Sequence, residues 1–151
     1  MVQVSVNSGS TIETARMLVA LIHDVGKECI ADVIVKNDIG VKERVRNQFA
    51  AKDESCNYPV HLEIYFHLES ENADENSLKN IGEMRLVTDE FTCGYNGTGP
   101  SNLLEVLRAA GITEKMFPDE EILEKRDKPL KAHFSARETI YTGALKEVYD
   151  P

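Results

Sequence analysis

The stretch FTCGYNGTGPSNLLEVLRAAG, residues 91–111, joins a strand-like run to a helical run through a loop that holds three glycines and a proline. Pro100 suits the first turn of a helix, because the N–H that proline lacks has no intrahelical partner there. Leucines then recur at helical spacing, and Gly111 is a natural residue just beyond a helix C-terminus. The stretch therefore predicts a strand, a glycine loop and a well-defined helix in succession.

The sequence on either side of this stretch carries alternating strand and helix patterns. Ser10 and Glu13 form a capping box ahead of an apolar helical stripe that stops at Gly26. The run HLEIYFHLE, residues 61–69, alternates between apolar and polar positions as a half-buried strand does. Further expected elements are strands at 2–6 and 33–35, a strand, turn and strand over 82–95 with the turn at 88–90, a short helix over 117–127 and a last strand over 128–141.

Three segments have weaker patterns. Val41, Val45 and Phe49 form a thin helical stripe, residues 51–59 have the composition of a loop, and the polar residues 69–80 are interpreted as a mobile surface loop. Neither an internal repeat nor a linker interrupts the chain. We therefore predict one compact α+β domain over residues 1–151, in which an antiparallel or mixed sheet packs with three or four helices.

The composition is that of a globular protein, with 42% apolar and 28% charged residues. No apolar run approaches the roughly 20 residues that a membrane helix needs, and the N-terminal residues lack the pattern of a signal peptide. The three cysteines are far apart and odd in number, which favours reduced thiols. We expect a cytoplasmic protein without a membrane partner, in the host cytoplasm if a phage encodes it.

The formal net charge of −9 argues against direct binding of nucleic acid, because neutralising phosphates requires clustered Lys and Arg. Two interpretations of the acidic surface stay open. The charge either confers solubility or imitates nucleic acid toward a basic protein partner. In the second case the acidic segments 69–90 and 119–127 would form the contact surface.

The glycine loop has the residue types of a small-ligand site. Glycines allow backbone N–H groups to turn toward one point, and a helix N-terminus adds a partial positive charge there. Side-chain donors follow the loop, and aromatic residues beside it would stack on a nucleotide base. Alternatively, the glycines only allow a tight turn between strand and helix. The candidate ligand-binding residues of the loop are Phe91, Tyr95, Asn96, Gly97, Thr98, Gly99 and Asn102.

A local reversal of charge supplies two more candidates. Residues 128–137 contain bases and no acid, and strand alternation would place Lys131, His133 and Arg137 on one face. This face either supplies charge to an anion held by the glycine loop, from the same or a neighbouring subunit, or is a solvated face paired with carboxylates. We take His133 and Arg137 as candidate ligand-binding residues.

Signals for catalysis and metal binding are weaker. His61, Glu63 and His67 share a strand face, but alternate residues are about 6.6 Å apart along a strand, so these three cannot close one metal shell alone. No Ser, His and Asp arrangement is visible, and no base can be identified for Cys93 beside the glycine loop. We expect no metal, no cofactor and no catalytic residue, and an enzyme is the third class considered.

The segment GYNGTGPSNLLEVL, residues 94–107, resembles a GY-x-G-[TS]-G-P motif followed by leucines that occurs in small phage and prokaryotic proteins. More loosely, the overall plan resembles the phage Thoeris anti-defence sponges, small oligomers that capture cyclic ADP-ribose signals without cleaving them. The resemblance implies a homo-oligomer that sequesters a nucleotide-like phosphate ligand. The alternative function is an acidic interaction protein that inhibits a nucleic-acid-binding partner by mimicry. The resemblance is carried by Gly94, Tyr95, Gly97, Thr98, Gly99, Pro100 and Leu103.

Overall fold

The computed structural model describes residues 1–37, 57–68, 82–126, 128–137 and 144–148. This part of the chain forms a single compact α+β arrangement, as predicted, with a six-stranded mixed sheet and three α-helices. The strands are β1 (Val2–Ser5), β2 (Ile30–Asn37), β3 (Asn57–Leu68), β4 (Gly82–Cys93), β5 (Lys131–Ser135) and β6 (Lys146–Val148). The helices are α1 (Thr11–Val25), α2 (Thr98–Ala109) and α3 (Glu120–Leu123), with a 3₁₀ turn at Lys27–Cys29.

The sheet is open, with the strand order β1-β4-β3-β2-β5-β6. β1 and β4 are parallel, and every other pair of neighbours is antiparallel. Alternate residues of β3 face one side and are buried there, including Leu62, Ile64 and Phe66. These side chains join one hydrophobic core with the apolar stripes of α1 and α2. We call this side of the sheet the helix face and the other side the polar face.

The parallel pair of β1 and β4 determines where the two long helices begin. Residues 6–10 lead from β1 into α1, and residues 94–97 lead from β4 into α2. Loops that follow parallel neighbouring strands leave the same edge of a sheet. We call this edge, with residues 6–10 and 94–97, the loop edge. Here Asn102 Nδ2 donates a hydrogen bond to Thr11 Oγ1 over 3.2 Å, so the starts of α1 and α2 are in contact.

The turn expected at 88–90 is wrong, because β4 continues through these residues as one strand. The pairing shifts register here, since Leu62 pairs with Thr88 whereas Val60 pairs with Phe91. One extra residue on β4 therefore forms a β-bulge, which redirects side chains without ending the strand. The polar sequence of a bulge resembles that of a turn, which explains the error.

Other boundaries also differ from the predictions. β2 is longer than residues 33–35, α3 has a single turn, β5 ends at Ser135, and β6 was not predicted. Residues 57–59 belong to β3 rather than to a loop. The helical stripe at Val41, Val45 and Phe49, residues 51–56 of the expected loop, and the polar segment 69–80 lie outside the described residues.

Candidate functional site

The glycines of the loop make room for the ring of Tyr95. A Cβ atom on Gly97 would lie 2.5 Å from Cε2 of Tyr95. A Cβ atom on Gly99 would lie 2.2 Å from Oγ1 of Thr92 and 3.3 Å from Oη of Tyr95. The two hydroxyls are hydrogen-bonded to each other at 2.8 Å. Because ordinary Cβ contacts are longer than these distances, a side chain at either glycine would displace Tyr95 or Thr92.

Backbone conformation explains why glycine is needed at position 94. Gly94 has a φ of 91°, in the region that only glycine adopts readily. Its N–H donates to the carbonyl of Ile122 over 2.7 Å, which ties the loop to α3. Gly97 has an extended φ of −166°, which any residue can adopt. The tight-turn interpretation therefore applies to Gly94, whereas Gly97 is required by its neighbour Tyr95.

The first turn of α2 has no side-chain cap, and in this turn Thr98 is exposed whereas Gly99 is buried. Gly97 is the N-cap residue, and no side chain accepts a hydrogen bond from this turn. The backbone N–H groups of Thr98 and Gly99 belong to the turn, whereas Pro100 has none. α1 differs, because the Ser10 hydroxyl accepts a hydrogen bond from the N–H of Glu13 over 3.4 Å. The start of α2 is thus the part of the loop edge best suited to accept an external anion.

At the N-terminus of α1, the carboxylate of Glu90 occupies the place that an external anion would take at the N-terminus of α2. The N–H of Gly9 donates to Oε1 of Glu90 over 2.7 Å, and the hydroxyl of Thr14 donates to Oε2. Thr14 is fully buried, and its oxygen lies 2.8 Å from the hydroxyl of Ser8. The bulge in β4 directs Glu90 toward α1. We did not anticipate this contact, although the run SGST before a helix is itself a possible anion cradle.

Phe91 does not belong to the site. It occupies an inward position of β4 opposite Val60 and is fully buried in the core. It therefore cannot stack on a ligand base as expected. Tyr95 and Asn102 are half-buried at the loop edge, and Asn96 and Thr98 are exposed there.

His133 and Arg137 lie on the polar face and contact Asp32. Strand alternation in β5 is as expected, since Ala132 and Phe134 are buried in the core. His133 Nε2 is 3.0 Å from Asp32 Oδ1, and Arg137 Nε donates to Asp32 Oδ2. Burial acts to raise the pKa of Asp32, but hydrogen bonds from Arg137, His133 and Ser135 lower it, and the pKa ends below its ordinary value. His133 of β5 and Arg137 just beyond it thus contact the same carboxylate.

Arg137 is far from the glycine loop within one chain. Its Nη1 atom is 3.7 Å from Oε1 of Glu83, at the beginning of β4, whereas the loop follows Cys93 at the end of β4. Ten positions along a strand correspond to about 33 Å. Arg137 also lies on the polar face, and α2 packs on the helix face. The structure therefore separates the predicted residues into a loop-edge group and a polar-face pair.

The rest of the polar face carries a second charged network. Arg85 forms an ion pair with the buried Glu63 and donates to Gln3 Oε1 over 2.6 Å. His61 lies 3.3 Å from Glu63 Oε1 and 2.6 Å from Asp89 Oδ1. No group of three or more His, Cys, Asp or Glu within the described ranges has an arrangement that would hold a metal ion. These side chains pair with one another across neighbouring strands.

Comparisons with protein-family models, with curated proteins and with solved structures found no match for this chain. Within the part of the chain that the structure describes, no helix is long and apolar enough to cross a membrane.

Proposed function

We propose that the protein binds a small nucleotide-like phosphate ligand at the loop edge and acts by sequestering it without chemical change. The observation that carries this proposal is the uncapped first turn of α2, which lies beside Tyr95 and contacts the start of α1 through Asn102. The N–H group of the exposed Thr98, at the N-terminus of α2, would hold one phosphate group. The hydroxyl of Thr98 and the amides of Asn96 and Asn102 would bind ribose or base, and Tyr95 would offer an aromatic surface.

Some of the ligand-binding residues predicted from the sequence do not belong to the proposed site at the loop edge. Tyr95, Asn96, Gly97, Thr98, Gly99 and Asn102 remain in the proposed site. Phe91 is left out because it is buried in the core. His133 and Arg137 are left out because they contact Asp32 on the polar face.

Glu90 supports binding rather than catalysis. Both oxygens of its carboxylate accept hydrogen bonds, one from Gly9 and one from Thr14. A general base needs an oxygen that can reach the proton of a substrate. A carboxylate held through both oxygens is poorly suited to this, so we propose a non-catalytic site.

A charge placed at the first residue of α2 tests the proposal. Thr98→Glu puts a carboxylate at the N-terminus of α2, where it suits the helix dipole but repels a phosphate. Thr98→Gln has nearly the same shape and no charge. Calorimetry would compare nucleosides, nucleoside monophosphates, nucleoside diphosphates and cyclic nucleotides. We expect phosphate-bearing ligands to bind the parent and Thr98→Gln similarly, and to bind Thr98→Glu at least tenfold more weakly.

Two results would oppose the proposal. If no member of the panel binds the parent, the loop edge is not a nucleotide site. If the Glu and Gln variants bind equally, the phosphate lies elsewhere. Native mass spectrometry of freshly purified protein adds an independent readout, because it would detect a co-purified nucleotide directly.

The alternative function, inhibition of a basic partner by mimicry, receives less support from the described acidic segment. Asp119 Oδ1 lies 2.5 Å from a guanidinium nitrogen of Arg108, and Glu121 Oε2 lies 3.0 Å from one of Arg126. Carboxylates paired within the chain have less charge to offer a partner. The alternative would be favoured if a basic protein bound with an affinity that falls steeply with salt while the ligand panel gave no signal.

A further inference from the structure

The outer edge of β1 pairs with no other strand that the structure describes. Among the described strands, β1 is the first of the sheet and pairs with β4 alone. The N–H of Val6 donates to the carbonyl of Val87, and Val4 is aligned with Leu86. Since alternate residues of a strand direct their backbone groups to opposite sides, those of Gln3 and Ser5 point away from β4. Both residues are exposed.

This edge has few of the features that usually prevent one strand from pairing with another. Natural edge strands are very short, carry lysine, proline or a bulge, or are covered, and of these β1 has only its short length of four residues. The sequence of β1, VQVS, contains neither a charge nor a proline. Residues 1–12 as a whole carry no charged side chain, in a chain whose formal net charge is −9.

Apolar exposure is concentrated in the same part of the molecule. Met1 is 74% exposed, Val2 41%, Ile12 44% and Met17 48%. These four are the exposed large hydrophobic residues of the described ranges, and all belong to β1, α1 or the residue before β1. An edge strand without charged side chains, with exposed apolar residues on it and next to it, is a site where another strand adds well.

We infer that β1 pairs antiparallel with β1 of a second copy of this chain, with a two-fold axis at Val4. Gln3 of each copy then faces Ser5 of the other, and their outward N–H and C=O groups form the hydrogen bonds of the ladder. Val4 faces Val4, and the exposed Val2 faces Val6. The two sheets join into one continuous sheet.

The distribution of charge favours a second copy of this chain as the partner of the β1 edge. Two chains that each carry −9 repel one another over most of their surfaces, and this repulsion is weakest where charged side chains are absent, as in residues 1–12. A two-fold interface also requires a surface that complements itself, and an uncharged strand does so in antiparallel pairing. The inference does not depend on the proposed ligand site, because neither Gln3 nor Ser5 belongs to it.

Sedimentation equilibrium of the full-length protein tests the pairing. We expect a mass of twice the 16.9 kDa of one chain, and dissociation in Ser5→Pro. Proline removes the outward N–H of Ser5 and blocks the edge, while the groups that bond β4 remain. Ser5→Ala is the matched control and should keep the parent mass. Higher salt should strengthen the association, because it screens the repulsion between acidic chains.

Amide hydrogen exchange of the parent gives a readout that needs no variant. In the paired form the amides of Gln3 and Ser5 should exchange much more slowly than solvent-exposed amides. If the parent protein has the mass of a single chain, the inference is overturned, and the edge of β1 would be available to a strand of another protein instead. A mass that Ser5→Pro does not change, or rapid exchange at Gln3 and Ser5 in an oligomer, places the interface elsewhere and also overturns it.

Discussion

Gly99 shows, at the scale of one residue, how a neighbouring side chain can require glycine. A Cβ atom there would lie 2.2 Å from the hydroxyl oxygen of Thr92, and this hydroxyl bonds that of Tyr95. Gly99→Ala should therefore destabilise the fold by roughly 1–3 kcal/mol, as overpacking does. Urea denaturation of the folded variant would measure the difference.

A double-mutant cycle separates this contact from any general effect of alanine. Thr92→Ala removes the oxygen that the new Cβ atom would meet, and the next neighbours, Oη of Tyr95 at 3.3 Å and the Cβ atom of Thr92 at 3.4 Å, are farther away. We expect Gly99→Ala to be less damaging in the Thr92→Ala background, with a coupling of about 1 kcal/mol. Strictly additive effects would show that Gly99 is required for another reason.

Asp32 carries the second prediction at the residue scale. Its side chain is buried and binds Arg137 and His133, and its pKa is lowered. Asp32→Asn leaves Arg137 and His133 without their carboxylate partner and should cost about 3 kcal/mol at neutral pH. A carboxyl whose pKa is depressed in the folded state stabilises the fold above its unfolded pKa, near 3.9, and loses this contribution as pH falls through the folded pKa.

Because the pKa of Asp32 is lowered in the folded state, the stabilising effect of its carboxylate should depend on pH. The difference in stability between parent and Asp32→Asn should be constant from pH 7 to about pH 5 and shrink below about pH 4. Asp24→Asn is the matched control, since Asp24 is exposed on α1, and should stay within about 0.5 kcal/mol of the parent. A difference that stays constant down to pH 2 would contradict the assignment.

At the scale of elements, Glu90 links the bulge of β4 to the start of α1. Glu90→Gln keeps the shape of the side chain but replaces one acceptor oxygen with an NH2 group. The two ends of the side chain can then no longer accept hydrogen bonds from both Gly9 and Thr14. Because hydrogen bonds to a charged group contribute more than neutral ones, we expect a loss of about 1–2 kcal/mol in chemical denaturation. Glu105→Gln, on the exposed side of α2, is the control and should change stability little. Equal effects of the two substitutions would show that Glu90 does not secure α1.

Elements with strong local patterns were predictable from the sequence, and those that depend on distant partners were not. α1 follows from Ser10, its apolar stripe and Gly26, and β3 follows from its alternation. The bulge in β4 depends on the register with β3, and the three-residue β6 on pairing with β5. The same limit applies to the site, because the burial of Phe91 and the pairing of Arg137 with Asp32 are tertiary contacts.

Charge is unevenly distributed at the scale of the whole molecule. The polar face neutralises much of its own charge through pairs such as Arg85 with Glu63 and Arg137 with Asp32. Within the described ranges, Glu121 of α3 pairs with Arg126, but four other exposed acids of α2, α3 and their flanks form no ion pair: Glu105, Glu114, Glu120 and Glu124. The net charge of −9 therefore acts largely as self-repulsion of the compact state.

This self-repulsion predicts that salt stabilises the fold. Raising sodium chloride from 10 mM to 300 mM shortens the Debye length from about 30 Å to below 10 Å, so repulsion between surface acids weakens. We expect the melting temperature to rise by about 3 °C, which for a chain of this size corresponds to about 1 kcal/mol. The measurement belongs in the Ser5→Pro background, where self-association contributes nothing. Replacing Glu105, Glu114, Glu120 and Glu124 with Gln lowers the negative charge by four units and should reduce the salt effect. A fall in melting temperature with salt would mean that attractive ion pairs, such as those of the polar face, outweigh the excess of acid.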